Sequence, residues 1–361
     1  MSSGKLRILY CSSEPKGTAC SVIRVVGPLL RDPGIELRWF DDAPIKDLLG
    51  WADLVLVQRN FPTSALRKRR FLRRVYMSGL PIFYETDDNL LAIPESNPHY
   101  KSHKEGWRFL RRALRKADAF VVSTAHLGSE LGGDKPCLVF PNLLDEQVWT
   151  RVEIERDPSP VCIGFAGTQT HVDDLGVCEE ALFRIAAKHG DGVRFLFMGC
   201  ITERLKSLSN VTYVPFQDSY EKYASALRSS RIHIGLAPLM DTAFNRSKSA
   251  IKWMELSACG IAGVFSDLHP YRAILEGGEV GVLATSDTES WFAAIDALVM
   301  DRSLRLNMAW RAQEKLYSQH TLECQASMAL DGLKSMFAEV KAAKSQTGFG
   351  RLRRMLSFLK I

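Results

Sequence analysis

The stretch NRSKSAIKWMELSACGIAGVFSD, Asn245 to Asp267, decides the fold. Its middle has a helical pattern in which Lys248, Lys252 and Glu255 fall at i, i+4 and i+7. That spacing puts two ammonium groups and one carboxylate on one helical face. Two lysines at i, i+4 repel each other by roughly a few tenths of a kcal/mol. Ala258, Cys259 and Gly260 end the helix, and IAGVF at 261–265 reads as a buried strand. Helix, glycine turn and short apolar strand, in that order, form one unit of an α/β sheet.

The same alternation runs outward in both directions. Strands are expected at 5–11, 35–40, 53–58, 80–85, 119–123 and 137–142, with helical segments between them. The polar, proline-containing EIERDPSP at 153–160 reads as a linker. The pattern then restarts, with strands at 160–167, 193–199, 211–216, 231–238, 261–265 and 281–284. Helical patterns at 288–300, 303–317 and 322–343 close the chain. Strands that alternate with helices imply parallel sheets covered on both faces. The reading is therefore α/β, with two facing Rossmann-like domains: 1–152, 153–340, and a basic tail at 341–361. Ligands of such sheets sit at the carboxyl ends of the strands, so the cleft between the halves is the expected site.

Bulk composition agrees. A chain of 361 residues exceeds what a single core supports, roughly 250–300 residues. The hydrophobic fraction of 46% and charged fraction of 24% are those of a soluble globular protein. No apolar run is long enough to span a membrane, and the first residues do not read as a signal peptide. The eight cysteines are scattered without a CxxC pair, which suits reduced thiols in the cytoplasm and neither zinc nor disulfides. The net charge is uneven: +5 over 1–150, −5 over 151–340 and +6 over 341–361. A basic first half and a basic tail point to an anionic partner.

Candidate site residues follow from position. Gly167 and Thr168 lie in a turn after a strand, where backbone N–H groups can hold a phosphate. Arg246, Lys248 and Lys252 can neutralise a diphosphate, arginine by a two-pronged contact. Glu255, one turn further, can accept hydrogen bonds from ribose hydroxyls. Glu85, Asp87 and Asp88 sit at the carboxyl end of a strand and can orient an acceptor hydroxyl or take its proton. His99, His103 and His126 are candidate hydrogen-bond partners or bases. His126 follows a strand and opens a helix.

Residues 247–267 resemble the nucleotide-sugar-binding segment of GT-B glycosyltransferases, in the large retaining family 4 group. The family shows Glu-x7-Glu, a small-residue turn, an apolar strand and Ser/Thr. Glu255 matches its second glutamate, which binds the donor ribose, whereas Ser247 stands at the first. Further resemblances extend over about 5–340. VFPN at 139–142 is similar to the turn closing the family's first domain, and the segment around Val214 and Phe216 to the nucleobase pocket. The loop of Gly17, Thr18 and the following Arg24 is similar to the glycine loop near phosphates or acceptor. ETDDNL at 85–90 resembles a variant of polysaccharide-building members.

The resemblance implies sugar transfer from a nucleoside-diphosphate sugar to a glycan or lipid-linked acceptor, with no metal. Lys252 would stabilise the departing diphosphate, and Asp87, Asp88 and His126 would face the acceptor. It also implies a C-terminal helix packed back toward the first domain. The rival reading is a GT-B-like module that binds nucleotide or glycan without transfer, suggested by Ser247. A Rossmann oxidoreductase is disfavoured because neither half opens on a clean GxGxxG. Nucleic-acid binding is disfavoured because aromatic platforms among the basic residues are sparse.

Two basic runs, 67–74 and Arg108 to Lys116, and the amphipathic tail 348–361 suggest attachment at the inner face of an anionic membrane.

Overall fold

The computed structural model describes residues 4–61, 66–154 and 159–358, apart from the side chains of 66–69 and 347–358. Twelve strands are found among them. The first six are β1 (Leu6–Cys11), β2 (Ile35–Trp39), β3 (Leu54–Gln58), β4 (Ile82–Thr86), β5 (Ala119–Val122) and β6 (Cys137–Val139). The second six are β7 (Val161–Ala166), β8 (Val193–Met198), β9 (Val211–Val214), β10 (Ile234–Ala237), β11 (Ala262–Ser266) and β12 (Val282–Ala284).

Each set forms one six-stranded parallel sheet. The orders are β2-β1-β3-β4-β5-β6 and β12-β11-β10-β7-β8-β9. In each sheet the order reverses beside the first strand, and the crevice at that reversal is where α/β sheets take ligands. β3, β4 and β5 are buried at every position, as are β7, β10 and β11. That is why they appear in the sequence as continuous apolar runs rather than alternating ones.

Helices cover both faces of each sheet, giving two apolar layers per domain. The final helix, Leu322–Phe358, crosses back to the first domain. There Leu322, Ala326, Leu330, Leu333, Met336 and Val340 join the layer containing Ile8, Leu54 and Phe83. Residues 322–340 thus pack with the first sheet although they follow the second, and the helix runs unbroken past residue 341.

The opening stretch differs from its expected form. A short helix, Ala243–Arg246, is capped by Thr242, whose side chain accepts from the Asn245 N–H at 3.1 Å. The main helix starts only at Ile251 and runs Ile251–Ala258. Lys248 therefore lies in the connecting loop and shares no helix face with Lys252. The reason is hydrogen bonding across the domains. Ser247 Oγ donates to Glu130 Oε2 at 2.8 Å, and Asn142 Nδ2 donates to Ser249 Oγ at 2.6 Å. Serines that bond outward in this way compete with helical backbone geometry.

No helix among the described residues is long and apolar enough to cross a membrane. All eight cysteines are free, and no group of metal-ligating side chains is found among the described residues. The side chains of Arg67 to Arg69, residues 155–158 of the expected linker, the side chains of 347–358 and residues 359–361 lie outside the described set.

Candidate active site

Loops at the carboxyl ends of both sheets face each other across a cavity of ≈410 Å³. Asp87, Asp88 and Asn142 line it from the first domain, and Thr168, His171, Lys248 and Glu255 from the second. A side cavity of ≈220 Å³ opens beside it. Thr18 borders that side cavity from the first domain, with Gly167, Thr168, Phe216, Tyr223, Lys252 and Glu255 opposite. Glu255 belongs to both linings and so stands where the two spaces meet.

Glu255 is only 4% exposed, deep in the helix Ile251–Ala258. One carboxylate oxygen, Oε2, accepts from Tyr223 Oη and from Lys252 Nζ, both at 2.7 Å. Lys252 Nζ also donates to Tyr223 Oη at 2.9 Å. Burying a carboxylate needs such partners, because an unpaired charge there costs several kcal/mol. The triangle fixes the carboxylate in one orientation. Burial raises the Tyr223 phenol well above its usual range, and Glu255 raises it further, so Tyr223 remains a donor.

The side cavity suits a flat ring next to a polar group. Phe216 is 62% exposed and lines it, an apolar ring left open to solvent. Gly199 closes its floor at φ 76°, and a Cβ there would lie 2.5 Å from the Gly167 carbonyl oxygen. Val214 is placed otherwise than its neighbour: its side chain packs against the domain core, while its carbonyl accepts from the Gly199 N–H at 2.8 Å. Gly17, at φ 87°, is an exposed turn residue outside both linings, with open space where a Cβ would stand.

The acidic run after β4 divides by depth. Glu85 is 1% exposed and pairs with Arg24 at 2.7 Å. Arg24 Nη1 also donates to the Phe140 carbonyl at 2.6 Å and to Asn142 Oδ1 at 2.9 Å. Arg24 borders the large cavity, from a π-helical turn at Val22–Val26, whereas Glu85 lies beneath it and does not line it. Glu85, expected to face the cleft and the acceptor, is therefore a buried counter-ion. Burial raises its carboxyl pKa against the opposing pull of Arg24.

Asp87 and Asp88 do line the cavity. Arg59 Nη1 donates to Asp87 and reaches Asp88 at 3.5 Å. Arg59 stands just past β3 at φ 50°, a left-handed conformation uncommon outside glycine. Burial alone would raise the Asp87 carboxyl, but Arg59 and Arg24 bring it below its ordinary value. A depressed carboxylate is a weak base and a good hydrogen-bond acceptor. Lys248 Nζ lies 3.7 Å from Asp88 Oδ1, a charge contact across the cleft.

Besides Glu85, Val214 and Gly17, two more expected residues stand outside both linings. Arg246 is exposed and gives both prongs to Asp241, at 2.6 and 2.9 Å, outside either lining. His126 lines neither cavity. Its ring stacks on His269 of the second domain at 4.5 Å, near Glu130, so it lies at the seam between the domains. Sequence reasoning missed three site residues: Arg59, Tyr223 and His171. His171 lies four residues past Gly167, and Asp174 three positions further on was the available signal.

Residues 180–331 match a family model described as glycosyl transferase-like. No curated protein matches the chain. Among solved structures, HepE of Anabaena in complex with UDP and glucose is similar at 14% identity and TM-score 0.64, covering 91% of this chain and 100% of that one. A glycosyltransferase from Rickettsia africae is similar at 12% identity and TM-score 0.61, covering 92% and 98%. Sucrose-phosphate synthase from Thermosynechococcus elongatus is similar at 11% identity and TM-score 0.61, covering 92% and 89%. At such identities the likeness shows the fold, and the fold is GT-B.

Proposed function

We propose that this protein is a glycosyltransferase that moves a sugar from a nucleoside-diphosphate sugar to a glycan or lipid-linked glycan. One observation carries the reading: Glu255, held by Lys252 and Tyr223, stands where a ring-sized side cavity meets the interdomain cleft. The nucleobase rests against Phe216 and the ribose hydroxyls bond to Glu255. The diphosphate meets Lys248 and Lys252, and the sugar points toward Asp87 and Asp88. The glycosyl transferase-like match over 180–331 supports the donor half, and the similar HepE was solved with UDP-glucose. Retention of configuration follows the resemblance to the family 4 group.

Each cation has a step. Cleavage of the sugar–phosphate bond leaves its electron pair on the diphosphate, and preorganised positive groups there stabilise the transition state most. Lys248 exchanges Asp88 for phosphate, which frees Asp88 to bind an acceptor hydroxyl. No metal is needed in this scheme. The test is nucleotide release from a panel of UDP-, GDP-, TDP- and ADP-sugars with crude glycan and lipid acceptors. Release with one donor, abolished in Glu255→Ala, supports transfer; no release with any donor contradicts it.

Ser247 favours a second reading. It is buried and donates to Glu130, so residue 247 itself carries no carboxylate, unlike the first glutamate of the family it resembles. A protein that binds a donor without releasing nucleotide would be a binding module, and the same panel separates the two.

The helix Tyr100–Lys116 exposes Arg108, Arg111, Arg112, Arg115 and Lys116 on the first domain. We infer that this face rests on an anionic membrane carrying the acceptor, each basic residue adding about 1 kcal/mol. Reversing the four arginines to glutamate is expected to abolish co-sedimentation with anionic vesicles. Unchanged binding would contradict the role of this face.

A further inference from the structure

The cleft holds a histidine in a position no surface loop would give it. His171 follows β7 and the Gly167 turn, and it lines the large cavity together with a smaller one of ≈120 Å³ between the domains. Its Nδ1 lies 2.8 Å from Asp174 Oδ2. Asp174 is itself buried, and its other oxygen accepts from the Met240 N–H and from Asn245 Nδ2, both at 2.8 Å. Both of those partners are donors. A carboxylate already accepting two N–H bonds takes the imidazole Nδ1–H as a third. Nδ1 therefore carries the proton, and Nε2 is the nitrogen left for the cavity.

We propose that His171 is a proton-coupled diphosphate ligand: it takes up one proton on Nε2 when a diphosphate enters the cleft and donates that N–H to a phosphate oxygen. The proposal rests on the nucleotide-sugar reading above and adds to it the place expected of Arg246, which is committed to Asp241. Asp174 is the positioning residue that fixes the ring and stabilises the imidazolium.

The charges around the ring explain why the proton arrives with the ligand. Lys248 and Lys252 approach from the loop and helix of the second domain, and burial with these two cations holds the imidazole below its ordinary value against the pull of Asp174. Asp87 and Asp88 share its cavity from the first domain but are engaged by Arg59 and Lys248. Asp173, His99 and His103 lie in the large lining, and Tyr271 in the small one. An entering diphosphate neutralises the two lysines and adds negative charge beside Nε2. Both changes favour the charged ring. One proton comes from solvent for each diphosphate bound, and none is lost by the protein.

The sign follows from linkage. The bound imidazole has the higher pKa, so its contribution is complete below the free-state pKa. It fades as pH rises through the bound-state pKa.

The experiment titrates inorganic pyrophosphate, and UDP in parallel, into the 361-residue chain from about pH 5.5 to about pH 8. It compares wild type, His171→Gln and His171→Lys, with thermal melts confirming that each is folded. The ligand's own ionisation is common to all three, so the ratio of dissociation constants isolates the ring. The wild-type advantage over His171→Gln is expected to fall about tenfold for each unit by which the ligand raises the imidazole pKa. His171→Lys is expected to bind tightly without that slope. Parallel wild-type and His171→Gln profiles would overturn the proposal while leaving the donor reading intact. Absence of wild-type binding to either probe at any pH would overturn both.

Discussion

The Glu255 triangle is built from one carboxylate oxygen, one ammonium and one phenol, and each member has a distinct consequence. Tyr223→Phe removes a hydrogen bond to a charged group, an interaction of about 1.5–3 kcal/mol. It is expected to raise the donor KM roughly tenfold or more with kcat little changed. Lys252→Met should lower kcat as well, because the proposed scheme uses its charge on the departing diphosphate; equal effects on both constants in both variants would contradict that division. Below the cleft, Arg24 and Glu85 act on stability. Removing one partner of a buried pair leaves an uncompensated charge, so Arg24→Met should cost about 3–5 kcal/mol in urea unfolding. A cost under about 1 kcal/mol would mean that the pair is solvated.

At the scale of elements, strands were the legible part of the sequence. β3, β4, β7 and β11 are short apolar runs flanked by turn residues, and burial on both faces makes such runs visible without periodicity. The helix around Lys248 was legible only in part. Glu255 and its turn follow from local pattern, but the start at Ile251 depends on Ser247 and Ser249 bonding to Glu130 and Asn142 over a hundred residues away. Arg59 and Tyr223 were hidden for the same reason, since their partners come from other strands and helices. Gly199 shows what an element junction demands. It joins β8 to the side cavity at positive φ, and an added Cβ would press against the Gly167 carbonyl. Gly199→Ala meets both backbone strain and backbone contact, and should destabilise the second domain by about 1–3 kcal/mol and weaken nucleotide binding. Wild-type melting and binding in that variant would show that the turn has slack.

Across the whole molecule, the chain passes from the second domain back to the first at His320, between the second domain's packing and the helix Leu322–Phe358. The Leu144 N–H bonds to the His320 carbonyl at 3.1 Å, and the His320 ring packs edge-on against the buried Trp253 at 5.4 Å. Burial, with Lys315 nearby, lowers the imidazole from 6.5 to about 4. The unfolded chain therefore binds the proton more readily. Stability from this site is present above about pH 6.5 and is lost as pH falls toward about 4. Thermal melts of wild type and His320→Gln should converge across that window, and a wild-type melting temperature flat over it would contradict the assignment. The crossing helix and the twin sheets set the distance between Glu255 and the first-domain acids, the span that the proposed nucleotide sugar crosses. The most direct measurement is calorimetric titration of UDP-, GDP-, TDP- and ADP-sugars into wild type and Glu255→Ala. Saturable binding of one donor class, lost or weakened at least about tenfold in the variant, is the predicted result. Equal binding by the two proteins, or none by wild type, would contradict it.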